Sequence, residues 1–303
     1  MKKNYLIKVL AVAAVLSMTA CGNQKAAETE QSKATAQEEQ STKKEETTQA
    51  QADTEGEKGK EEVKEMEKDA MRGTVNLAAA ASLEKSFTDR LIPMFNEKYP
   101  DIQIVGSYDS SGKLQTQIEE GAEIDLFFSA AMKQMDALKE AGMMDEQSIT
   151  QLLENKIVMI VPKGEESAYA KFEDLSSAQT IAIGDPESVP AGQYAKEALE
   201  NLGIWEAVLA KASLGTNVTE VLNWVAEGSA NAGIVYATDA AKMADKVSVI
   251  ASAPEGSVKA VIYPVGILKA SKNAEAAKLF LEFLKSEEAL QVFKESGFSI
   301  YQP

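Results

Sequence analysis

The sequence predicts an α/β protein whose globular part folds as two lobes, each a mainly parallel sheet flanked by helices, with a hinged cleft between them. Three observations predict it. Strand-like and helix-like runs alternate from residue 73 onward, the alternation restarts after "KIVMIVPKG", and everything before residue 73 has a different composition. The order places residues 73–162 and 248–303 in one lobe and 163–247 in the other. Two chain crossings would then form a hinge suited to a ligand that is engulfed and released. A single continuous sheet is the competing architecture.

The first lobe opens with "TVNLAA", a short β-favouring run ending in small residues, followed by a helix from about Ser82. "IQIVGSY" is rich in β-branched side chains and leads into a helix from about Ser110; "IDLFFSA" leads into a helix from about Met132. After "KIVMIVPKG" come "TIAIGDP", helices from about Ala191 and Asn217, and the apolar run "NAGIVYA". Two more β-rich runs follow, "KVSVIA" and "VKAVIYPVGIL". The final helix, "NAEAAKLFLEFLKS", puts Ala276, Leu279, Phe280, Phe283 and Leu284 on one face.

The N-terminus reads as a removable export signal over residues 1–20: "MKK", then "YLIKVLAVAAVLSM", too short for a comfortable membrane span, then small residues. Cys21 is the only cysteine, so no internal disulfide forms. "LSMTAC" resembles the lipobox of bacterial lipoproteins, which implies that Cys21 is lipidated and anchors the chain to a membrane. Residues 21–72 then hold this cysteine and a stretch of Ala, Glu, Gln, Lys and Thr. Such a composition buries too little apolar surface to offset chain entropy and is expected to be a disordered tether. About fifty flexible residues give an end-to-end distance of roughly 40 Å.

Composition excludes several functions. The formal charge of −16 argues against nucleic-acid binding. It argues less strongly against a small anion, because exposed charges beyond roughly 8 Å are largely screened at physiological salt. There is no histidine, and Cys21 is committed to the signal region, so Ser-His-Asp and Cys-His catalysis and imidazole or thiolate metal sites are excluded. No phosphate loop or G-x-G-x-x-G follows a strand. "SLEK" at 82–85 fits the S-x-x-K pattern of serine-lysine acyl enzymes, but the companion motifs "SDN" and "KTG" are missing. The alternative role for Lys85 is a solvated helix face.

What remains is a set of helix starts: Ser82, the Ser110–Ser111 pair, the stretch after Pro190, and the Thr216–Asn217 pair. Each has an ordinary explanation as an N-cap or first-turn residue. Together they have another. Helix N-termini carry free N–H groups and a partial positive charge, so several converging on a cleft would bind an anion without lysine or arginine.

"AAASL", "SYDSSGKLQTQIEEGAEIDLFFSA", "AIGDPESVPAGQYAKEAL", "GIVYATDA" and "GFSI", in this order and spacing, resemble the molybdate-binding proteins of bacterial molybdate ABC importers. The resemblance spans residues 73–303. It implies a two-lobed type II periplasmic-binding fold that closes over a tetrahedral oxyanion held by neutral donors. Residue by residue, it implies hydroxyl and amide donation from Ser82, a hydroxyl from Ser111 with Ser110 as its neighbour, backbone amides from Ala191 and Val218, and the hydroxyl of Tyr236 from the far lobe. These residues would reach the metal only through the oxygens of molybdate, never by direct ligation. The resemblance also implies molybdate or tungstate as cargo, with sulfate as the nearest alternative, no cofactor, and no enzymatic activity. It further implies an ABC permease as partner, a monomer, and a position on the extracellular face of the cell membrane, or the periplasmic face where an outer membrane exists.

Neutral donors give a physical basis for selectivity. Molybdate is fully deprotonated near neutral pH and needs no acceptor. Hydrogenphosphate would leave a buried proton unpartnered, at a cost of roughly 1–3 kcal/mol. Sulfate must be rejected by its smaller size, and tungstate, nearly isosteric with molybdate, should hardly be rejected at all.

Overall fold

The computed structural model describes residues 72–302. The expected signal, Cys21 and the tether therefore lie outside the described residues, Arg72 excepted. The rest forms two sheets flanked by helices. The first has the order β11-β4-β10-β3-β1-β2, with β1 at Gly73–Ala80, β2 at Ile102–Asp109, β3 at Leu126–Phe128, β4 at Thr150–Asn155, β10 at Val261–Ile267 and β11 at Ser299–Ile300. The second has the order β7-β6-β8-β5-β9, with β5 at Ile157–Pro162, β6 at Ile181–Gly184, β7 at Ala212–Gly215, β8 at Ala232–Tyr236 and β9 at Val247–Ser252.

The α/β class and the two-lobed architecture are as expected, and the single continuous sheet is excluded. Two details differ. The sheets are mixed rather than mainly parallel: β1 runs parallel to β2 and β3, and β6 to β7 and β8, but β10 and β5 pair antiparallel with both of their neighbours. The lobe boundaries also move. β5 and β9, assigned from sequence to the first lobe, belong to the second sheet. The chain crosses at Lys156, the single residue between β4 and β5, and again between β9 and β10. β4 and β7 were not recognised from sequence, because "TQLLEN" and "ASLG" are short and weakly apolar.

Helix α1 covers 81–98 and is irregular: a 3-10 turn at Ala81–Leu83, an α turn at Glu84–Ser86, a π turn at Phe87–Leu91, then regular helix at Ile92–Lys98. Pro93 explains the π turn, since it lacks the amide that a regular helix would direct to the carbonyl of residue 89. The next helices are α2 at Ser111–Glu119, α3 at Met132–Glu140, α4 at Pro190–Asn201, α5 at Trp205–Leu209, α6 at Val218–Ala226 and α7 at Ala237–Lys242. Then α8, at Ala274–Leu284, buries Ala276, Phe280, Phe283 and Leu284 as expected, with Leu279 only half-buried. It is not the final helix, because α9 follows at Glu287–Glu295.

Each lobe has its own core. In the first, Phe87 sits among Phe128, Phe280 and Phe293, with ring centroids 6.0–6.1 Å apart, so the edge-on aromatic packing joins α1, α8, α9 and the sheet. In the second, β5, β6 and β8 are buried along almost their whole length between flanking helices, as their continuous apolar runs require. The lobes are closed on each other. Gly112 N donates to Ser188 O across the cleft at 2.9 Å, and Gln134 Nε2 to Gln193 Oε1 at 3.2 Å. The first contact needs glycine, because a Cβ at residue 112 would lie 2.3 Å from Ser188 O.

Candidate functional site

The C-terminal ends of β1 and β2 in one lobe, and of β6 and β8 in the other, point at the same place. There the chain leaves β1 through "AAAA", and Ala78, Ala79, Ala80 and Ala81 are all buried. Side chains this small let the following turn lie close to the second lobe. A small cavity of about 10 Å³ results. That is far below the roughly 300–1,000 Å³ usual for organic ligands. A larger surface cavity, on the first lobe around Ile118, Met143 and Leu268, collects none of the expected site residues.

All five residues singled out from sequence line this one cavity: Ser82, Ser111, Ala191, Val218 and Tyr236. Ser82 lies in the 3-10 turn that opens α1; Ser111 is the first residue of α2; Ala191 is the second of α4, after Pro190; Val218 is the first of α6; and Tyr236 ends β8. Four helix starts therefore converge. Those of α1, α2 and α4 receive no capping hydrogen bond from a side chain at the N-cap, whereas Asn217 caps α6 by accepting from Glu220 N. Uncapped first-turn amides need a partner from elsewhere. No lysine or arginine lines the cavity.

The hydroxyls are held in place by their neighbours. Ala130, in the loop after β3, links two of them through one residue: its N–H donates to Ser111 Oγ at 3.0 Å, and its carbonyl accepts from Tyr236 Oη at 3.4 Å. Because Ser111 Oγ accepts there, its own proton is left to donate. Ser82 Oγ lies 3.0 Å from Tyr263 Oη, and Tyr263 Oη in turn accepts from Asn155 Nδ2 at 3.2 Å. Either hydroxyl can donate in this pair; when Tyr263 is the donor, the Ser82 proton is left for the cavity. Burial pushes the phenols of Tyr236 and Tyr263 well above the usual tyrosine range, so both remain protonated donors.

Sequence reading missed Tyr263, Asn155, Ala130 and Asp109. Tyr263, Asn155 and Ala130 lie in other elements, and nothing local marks them. Ser110, named only as a neighbour, occupies the N-cap of α2, yet its buried Oγ has no partner and lines the cavity. Asp109 adds a carboxylate to the wall; its Oδ1 accepts from Ser110 N at 2.7 Å, Lys113 Nζ at 3.3 Å and Asn217 Nδ2 at 3.4 Å. The serine-lysine alternative does not hold. Ser82 is buried and bonded to Tyr263, whereas Lys85 is exposed on the outer face of α1.

Comparisons with known proteins agree with this geometry. Residues 75–299 match the family described as bacterial extracellular solute-binding protein. The chain is 39% identical over 226 residues to YvgL of Bacillus subtilis (strain 168), named as a candidate ABC transporter substrate-binding lipoprotein; the match covers 75% of this chain and 86% of that one. It is 38% identical over 238 residues to the molybdate-binding protein ModA of Escherichia coli (strain K12), covering 76% of this chain and 91% of that one. Among solved structures, the substrate-binding domain of a candidate molybdenum ABC transporter from Clostridium difficile superposes with a TM-score of 0.59 at 37% identity, over 76% of this chain and 99% of that one. These relatives are solute-binding proteins and not enzymes. A match over residues 75–299, on two lobes closed around a cavity of helix starts, places the chain in the bacterial extracellular solute-binding protein family.

Proposed function

We propose that this protein captures molybdate, and tungstate nearly as well, and hands it to an ABC permease. The observation that carries this reading is the cavity itself: hydroxyls and four helix starts converge on it, with no basic side chain among its lining residues. Ser82 and Ser111 supply hydroxyl donors, Tyr236 supplies a third by turning its proton away from Ala130 O, 3.4 Å distant, and Ala191 and Val218 supply backbone amides. Ser110, buried without a partner, adds a further hydroxyl at the α2 start. Helix N-termini stabilise the dianion through oriented N–H groups and their partial positive charge. Against these donors stands one acceptor group on the wall, the Asp109 carboxylate, whose Oδ1 already accepts from three donors and whose Oδ2 accepts from Lys113 at 3.4 Å. The excess of donors favours an oxyanion that carries no proton.

A thermal-shift panel tests the reading. Molybdate and tungstate at a hundred times their dissociation constant should each add about 2.7 kcal/mol of stability. Phosphate should add nothing and sulfate little. A shift with sulfate larger than with molybdate would reassign the cargo to the smaller oxyanion.

The anchoring is proposed from sequence alone. No helix among the described residues is long and apolar enough to cross a membrane. Lipid on Cys21, with residues 22–72 as tether, would hold the receptor as a monomer beside its permease on the outer face of the cell membrane. Cys21→Ala should release the protein into the soluble fraction or leave it unprocessed. Processing at residue 21 with full membrane retention in that variant would end the idea.

A further inference from the structure

Lys242 is the last residue of α7, in the second lobe, and its Nζ lies 2.7 Å from the carbonyl oxygen of Ser82 in the first. The same Nζ lies 2.8 Å from Oδ1 of Asp239, one turn earlier on α7. Asp239 is buried, its second carboxylate oxygen has no hydrogen-bond partner, and the Lys242 side chain is 23% exposed. This differs from a surface ion pair, which contributes little because both charges are solvated. Here one partner is out of water, and the ammonium donates to a main-chain carbonyl of the other lobe.

We propose that Lys242 is a closure clamp and the positioning residue for Ser82: it ties the turn that opens α1 to the second lobe when, and only when, the lobes are closed. The two bonds of Nζ differ in what they span. The bond to Asp239 lies within one helix and survives when the lobes part. The bond to Ser82 spans the cleft and is lost. A contact present in one state and absent in the other biases the equilibrium towards the first. Because Asp239 holds the ammonium in place beforehand, closure costs little further side-chain entropy. Lys242 does not line the cavity, and its charge is matched by Asp239, so its effect on a bound anion is exerted through the placement of Ser82.

The clamp rests on the oxyanion reading only for its affinity readout. In the mature protein, Lys242→Met should weaken molybdate binding about tenfold, nearly all of it as faster dissociation, as expected for one lost charge-assisted hydrogen bond. Lys85→Met, a neighbouring lysine that makes no such bond, should leave both rates within about twofold of the unaltered protein. Hydrogen exchange supplies a second readout that does not depend on the cargo. The Gly112 amide donates across the cleft to Ser188 O and shares no atom with the clamp, so its exchange reports closure. It should be faster in Lys242→Met, and in Lys242→Gln should the methionine variant fold poorly. Unchanged exchange at Gly112 together with unchanged dissociation would overturn the clamp. An unaltered protein that binds neither molybdate nor tungstate would count against the oxyanion reading, and the clamp would then be decided by Gly112 exchange alone: faster supports it, unchanged refutes it.

Discussion

Ser82→Ala, Ser111→Ala and Tyr236→Phe are each expected to weaken molybdate binding by roughly tenfold to a hundredfold, since a hydrogen bond to a charged group is typically worth about 1.5–3 kcal/mol. The three differ in their side effects. Ser111→Ala also strips the buried Ala130 amide of its acceptor, so it should lower the melting temperature of the ligand-free protein. Ser82→Ala leaves Tyr263 with Asn155 as a partner, and should act mainly on affinity. Lys85→Ala and Lys113→Ala should change affinity little. Lys85 is exposed and Lys113 is paired with Asp109 at 3.3 Å, and neither lines the cavity. Isothermal titration of the five variants ranks them. A conventional cationic anion site would give the reverse order, with the lysine changes costly and the serine changes silent, and that outcome would refute the neutral-donor mechanism.

Gly192→Ala should damage both stability and binding. Gly192 follows Ala191 in the first turn of α4, which packs on the end of β6. A Cβ there would lie 2.0 Å from the carbonyl oxygen of Gly184 and 2.5 Å from its carbon. These are backbone atoms and cannot swing aside, so α4 has to lift off the sheet. Alanine gains about 0.8–1 kcal/mol over glycine in a helix interior. Overpacking typically costs about 1–3 kcal/mol. Here the overlap is with main chain on both sides, so the cost should win, and the melting temperature should fall by about 2–4 °C for each net kcal/mol. The same displacement carries the Ala191 amide away from the cavity, so molybdate affinity should drop at least tenfold, as for loss of one donor to a charged ligand. A variant with unaltered melting temperature and affinity would show that α4 is not held against β6 as described.

Much of the site was legible because its parts are local. A helix start is written in a few consecutive residues: small side chains after a strand, then serine, or proline followed by alanine and glycine. Ser82, Ser110, Ser111 and Ala191 were therefore visible as members of helix openings, whereas Val218 and Tyr236 entered only through the family resemblance. That Val218 and Ala191 matter through their amides came from the family resemblance, since an apolar side chain gives no sign of what its main chain does. Asp109 went unnoticed because, read in sequence, a carboxylate beside an anion site looks unfavourable. Its three donors come from two lobes and become visible only when both are folded.

The α/β class, the order of most strands and helices, the two-lobed architecture and the exclusion of histidine chemistry could be read from the chain alone. Each follows from composition or from periodicity over short windows, which the chain carries before it folds. The tertiary structure alone decided which sheet β5 and β9 join, because a buried apolar strand satisfies either sheet equally well until its neighbours are in place. It also decided the partners of the site: Tyr263 for Ser82, Ala130 for Ser111 and Tyr236, and Lys242 for the Ser82 carbonyl. Apart from Ala130 and Ser111, 19 residues apart, these pairs are separated by 106 to 181 positions. Ser82 and Tyr263 meet because the returning segment with β10 completes the first lobe, and the other two distant pairs form where the lobes meet; no local pattern of side chains encodes either meeting.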